Sequence, residues 1–280
     1  MTFFTIKTNP QSLRISRKIL FRSSAYALAA YYYSLILEKS LMMAGAAIYG
    51  FTSRIDYQGV EIIVDPKSWN QESVLMIYMV PYLIQAILVI LIYSNIKYLH
   101  VAPGYMMIFL HWVILFVTFR LTAMLPIHLF CKTGIYHAFS WLYLGTALEV
   151  LICVAGVIIF LITAKWMLSG VLFFSATLNN QYRAIGLSQL IRSSLMAPVL
   201  VILLIPCLYY LPGLPKDEII GLGMIAAISI YFILRILYGR PEHMPKGETV
   251  AEKFNPVSLF LIILIFIIIL RIVLGIGLSI

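Results

Sequence analysis

Residues 111–149, HWVILFVTFRLTAMLPIHLFCKTGIYHAFSWLYLGTALE, decide what kind of chain this is. A histidine, an arginine, a His/Cys/His group and an acid stand among long apolar runs. Polar side chains in such company are costly unless they face a protein interior, so each needs a partner or a task. His111, His128 and His137 lie in the stretch and His100 lies just before it. Apart from Glu38, which is followed by Lys39, Glu149 is the one carboxylate set deep in an apolar segment.

The same texture extends outward. The chain of 280 residues is 62% hydrophobic and 11% charged, with a mean hydropathy of +0.98. Soluble domains average about 45–50% apolar and about 25% charged residues. The composition therefore reads as an integral membrane protein with little soluble mass. The formal charge of +9 does not point to nucleic acid. The basic residues are spread over segment ends, where they set topology and meet lipid phosphate. Cys131, Cys153 and Cys207 lie on separate segments without CxxC spacing, so neither a disulfide framework nor c-type haem is indicated.

Residues 1–23 read as a basic cytoplasmic tail, and 24–280 as a single transmembrane domain. The N-terminal pattern partly resembles a signal peptide, with basic residues before an apolar run. That run is too long for a signal peptide and is broken by Glu38-Lys39, so it reads as a retained span. Further spans are expected at about 74–96, 101–125, 138–164, 195–211, 218–238 and 256–278. Pro81 should bend the second span, with Gln85 placed to bond the freed backbone. The polar interval 51–73 holds VEIIV, a short strand candidate. Residues 166–177 are too few to cross about 30 Å of hydrocarbon and are expected in an interfacial helix, a re-entrant segment being the alternative. The sum is an all-α polytopic helical bundle of about seven transmembrane helices plus that interfacial helix. Lysine and arginine divide thirteen against six between alternating sides, with Lys39 unassigned. The bias places the N-terminus inside and the C-terminus outside.

Two groups of candidate residues follow from helical rise. His111 lies roughly 15 Å along the third span and Glu149 roughly 16 Å down the fourth, so the two are expected to pair near the midplane. Arg271 is the charge partner that depth suggests for Glu149, and the group reads as a proton or helix coupling site. The second group, Arg120, His128, Cys131 and His137, belongs to the outer face. Arg120 is expected to snorkel to headgroups, and His128, Cys131 and His137 to share a loop. His-x2-Cys-x5-His matches no standard metal spacing, so no metal is expected. His111 lacks a second histidine at its depth, so no haem or other cofactor is expected. HExxH, GxSxG and phosphate-cradling glycine loops are absent.

The first functional reading is a non-enzymatic subunit or accessory component of a larger assembly in a bacterial inner membrane, its partners being the bilayer and other membrane subunits. The alternative is a proton-coupled transporter using the His111/Glu149 pair, held back by the odd span count, the lack of an internal repeat and the single deep acid. A third is a membrane-embedded lipid-modifying enzyme working through Arg120, His128 and His137.

Overall fold

The structure, a computed structural model, describes residues 10–56, 59–95, 104–177, 190–209, 215–238, 256–276 and 278–279. These residues are mostly helical, so the all-α class holds. Four helices are long and apolar enough to cross a membrane: Gln71–Asn95, Tyr105–Ala123, Thr146–Ser175 and Lys216–Leu234. Arg192–Leu204 and Pro256–Leu270 are shorter apolar helices.

The bundle is built on α1 (Pro10–Ile48), which packs against α2 (Gln71–Tyr78), α3 (Val80–Asn95), α4 (Gly104–Thr118), α8 (Ala197–Tyr209) and α10 (Pro256–Ile276). It starts well inside the stretch expected as a tail. Ile15, Ile19, Arg22 and Ser23 are buried, so much of that stretch belongs to the bundle. Glu38, Ser34, Tyr31, Ala27 and Ser24 are all buried. Their spacing of four, three, four and three residues puts them on one face of α1. Small residues on such a face let neighbouring helices approach closely.

β1 (Thr52–Ile55) pairs antiparallel with β2 (Val60–Ile63), the strand foreshadowed by VEIIV. β1 also pairs with β3 (Leu278–Ser279), through Arg54↔Ser279 and Ile55↔Leu278. The order is β2-β1-β3. This small sheet sits where α1 ends.

Two prolines shape the helices. Pro81 offers no N–H to Ile77 and crowds its carbonyl. The segment breaks at Met79 into α2 and α3. Gln85 does not repair the break: among the described residues neither amide atom has a hydrogen-bond partner. Pro126 likewise cannot bond the Thr122 carbonyl, and the chain widens into a π-helical turn, π1 (Phe119–Ala123), before α5 (Leu125–Cys131). Met124 N–H donates to Phe119 O, five residues back, at 3.1 Å. The Thr122 carbonyl faces α7 (Thr146–Thr177) at Gly156, where a Cβ would stand 2.8 Å from it.

The expected outer loop is therefore largely helical. His128 and Cys131 lie on α5, Lys132 caps it in a left-handed conformation (φ 57), and His137 lies on α6 (Tyr136–Trp141). Residues 166–177 do not form a separate helix but continue α7, because nothing around the exposed Lys165 stops the helix. The rest of the expected interfacial segment, 178–189, lies outside the described residues. A second π turn, π2 (Arg192–Met196), precedes α8, and α9 (Lys216–Tyr238) precedes α10.

Candidate functional site: a roofed charge cluster

Arg120 is 4% exposed and points into the bundle, not towards headgroups. The π turn that carries it packs beside α7, α3 and α5. Arg120 Nη1 donates to Glu38 Oε2 of α1 at 3.0 Å and to Glu218 Oε1 of α9 at 3.1 Å. Its Nη2 donates to Glu218 Oε2 at 3.4 Å, which makes the Glu218 contact two-pronged. The guanidinium also lies over the Tyr31 ring, 5.6 Å from its centroid. Tyr31 Oη donates to Glu218 Oε2 at 3.5 Å. One cation thus ties α1, π1 and α9 together.

Glu218 stands in the first turn of α9, where the helix dipole favours a carboxylate. Its neighbour Asp217 opens a branch towards the roof. Thr133 Oγ1 donates to Asp217 Oδ2 at 3.0 Å and lies 3.0 Å from His128 Nδ1. A hydroxyl has one proton to give, so His128 must be the donor to Thr133 and carry its hydrogen on Nδ1. Burial holds the His128 imidazole below its ordinary pKa. The carboxylates of Glu38, Asp217 and Glu218 pull the other way and Arg120 reinforces the depression, so the ring is neutral near pH 7. Lys39, next to Glu38, acts electrostatically on Glu218. With His128 neutral, three carboxylates face the two cations Arg120 and Lys39, an excess of one negative charge.

The first candidate group is not brought together. His111 is buried against Gly170 of α7, where a Cβ would overlap the ring, and its Nδ1 donates to Met107 O at 2.7 Å. Its ring also packs on Phe174, 5.3 Å away. Glu149 is half-buried in the first turn of α7, twenty-one residues from Gly170, or roughly 31 Å along the helix. The expected pairing assumed a span starting near 138. The chain instead makes α6, turns through Tyr143 at φ 51, and starts α7 at Thr146. Arg271 falls in α10, but its side chain lies outside the described residues.

The second group is brought together in part. Arg120 and His128 join the same network. His137 instead packs on Tyr78, 5.0 Å between rings, and Cys131 packs against the main hydrophobic core. Among the described residues no three of His, Cys, Asp and Glu converge as metal ligands. Glu218 and Asp217 were missed by sequence reasoning. Their one signal was an acidic pair at a helix start, which equally describes solvent-facing residues.

No protein-family model, curated protein or solved structure matches the chain.

Proposed function

We propose that the protein is a proton-coupled membrane carrier whose working site is the Glu38–Arg120–Glu218 cluster. The observation that carries this reading is the buried polar stripe of α1. It runs from Glu38 through Ser34 and Tyr31, past Ala27, to Ser24 and Ser23, roughly 22 Å of helix. The far end meets π2, where Ser23 Oγ donates to Ser194 O at 2.6 Å. Intramembrane ionisable groups in contact with a polar column are the usual setting of proton transfer. The objection of a single deep acid no longer applies, because Glu38 and Glu218 share one cation. The excess negative charge gives the cluster a place for a proton.

The same reading places the chain in a bacterial inner membrane with seven crossings, N-terminus inside and C-terminus outside. The β1–β3 pairing supports an odd number, since it sets the C-terminal strand beside the far end of α1. Phe21 and Phe260, 5.6 Å apart, set the start of α10 beside the opposite end of α1.

A second reading, a non-catalytic subunit of a larger assembly, is favoured by the three hydrogen bonds that hold Arg120 to two acids, which suit a fixed clamp. The two separate in liposomes loaded with a pH-sensitive dye under a potassium diffusion potential, with amino acids, sugars or metal cations supplied in turn on either side. A proton-coupled carrier acidifies the lumen, and Glu218→Gln abolishes this while the protein still elutes as the same species. If liposomes with protein stay as proton-tight as empty ones, the carrier reading fails. The lipid-modifying reading loses its headgroup-binding cation, because Arg120 is engaged inside.

A further inference from the structure

We infer that Tyr82 and Gln85 form a binding site for internal water between α3 and the helices that carry Glu38 and Arg120. One side of α3 is covered by the bundle. Its buried residues are Pro81, Tyr82 and Gln85, and it packs on α1, α2, α4 and π1. Gln85 is 1% exposed and Tyr82 is 6% exposed. Among the described residues, Tyr82 Oη and both Gln85 amide atoms have no hydrogen-bond partner.

Leaving a buried donor or acceptor unmade costs about 1–3 kcal/mol, and three such groups lie one turn apart. A leucine at 85 would match the rest of α3 and carry no such cost. Side chains at i and i+3 share one face of a helix, about 5–6 Å apart at Cβ, so both can reach water held on that face. A water needs two to four polar partners, and an amide with a phenol supplies both donors and acceptors. Both side chains are neutral, which suits water better than an ion.

The site also adjoins the cluster. The Tyr82 ring meets His128 edge-on at 6.3 Å, and its phenol lies within the electrostatic reach of Glu38, Arg120, Glu218 and Asp217. Water held there is exchangeable solvent beside the buried acids. The inference stands whether or not the protein moves protons.

X-ray hydroxyl-radical footprinting of the full chain in lipid nanodiscs tests it, because radicals form in place from bound water. Tyr82 is expected to be oxidised at a rate approaching that of the exposed Tyr143, while the fully buried Phe160 stays unlabelled. Gln85→Met keeps the volume and removes the hydrogen bonds, and should lower Tyr82 labelling several-fold with Tyr143 unchanged. Tyr82 labelling as slow as that of Phe160, or unchanged by Gln85→Met, overturns the inference. The wild-type comparison alone decides if the variant does not fold. A chain that labels Tyr82 yet moves no protons defeats the carrier reading and leaves the water site intact.

Discussion

Arg120 is the residue on which the interior depends most. Removing one partner of a buried ion pair costs about 3–5 kcal/mol, because the remaining charge is left uncompensated. Arg120→Met strands two carboxylates at once and should lower the melting temperature of the purified protein more than Glu38→Gln or Glu218→Gln. Arg120→Lys should recover little, since an ammonium cannot make the two-pronged contact with Glu218. Equal melting of the lysine variant and the wild type would show that the fork geometry is irrelevant.

His128 gives a prediction in pH. Its pKa is depressed in the folded state, so between that value and about 6.5 the unfolded chain binds more protons. Stability from the neutral ring is therefore complete above about pH 6.5 and falls as pH drops towards the folded value. His137, shifted the same way by partial desolvation, is solvent-exposed and adds little to the slope. Melting followed from pH 7.5 to 5.5 should show this loss. His128→Asn, which keeps a donor for Thr133, should flatten the curve, and an unchanged slope would exclude His128 as its source.

At the scale of elements, proline chemistry explains more than hydropathy does. The apolar runs made the helices legible, and the break at Pro81 was legible because the lost N–H is a local fact. The π turn at 119–123 was not, although Pro126 causes it, because widening and simple termination both relieve the same clash. The start of α7 was misplaced because the turn through Leu142–Gly145 carries no polar signal. That shift moved Glu149 away from His111. The Arg120 site was half legible: the arginine stood out, but its acids lie 82 and 98 residues away and only packing unites them. Gly156 tests the π-turn account. Gly156→Ala sets a methyl 2.8 Å from the Thr122 carbonyl and 3.1 Å from Leu125 Cδ1, and backbone cannot yield as a flexible side chain does. Overpacking of this kind costs about 1–3 kcal/mol, to be read as a lower melting temperature. Gly145→Ala, with open space around its Cβ position, is the matched control and should change little.

At the scale of the molecule, bilayer physics decides which interactions hold the fold. Lipid tails are as apolar as leucine, so burying Ile and Phe faces adds little to helix association there. Specificity falls to close packing along α1 and to the charge cluster joining α1, π1 and α9. The small sheet adds a topological constraint that hydropathy alone does not contain. Residues 278–279 pair with β1, which follows directly from the end of α1. If α1 crosses the bilayer, the two chain ends lie on opposite sides, and the charge bias assigns the N-terminus to the cytoplasm. A membrane-impermeant maleimide tests this in sealed vesicles. Thr2→Cys should react only in inside-out vesicles and Ser279→Cys only in right-side-out ones, each measured against the parent chain with its own three cysteines. Labelling of both positions from one side would require an even number of crossings. It would also remove the odd-span argument drawn from the β1–β3 pairing.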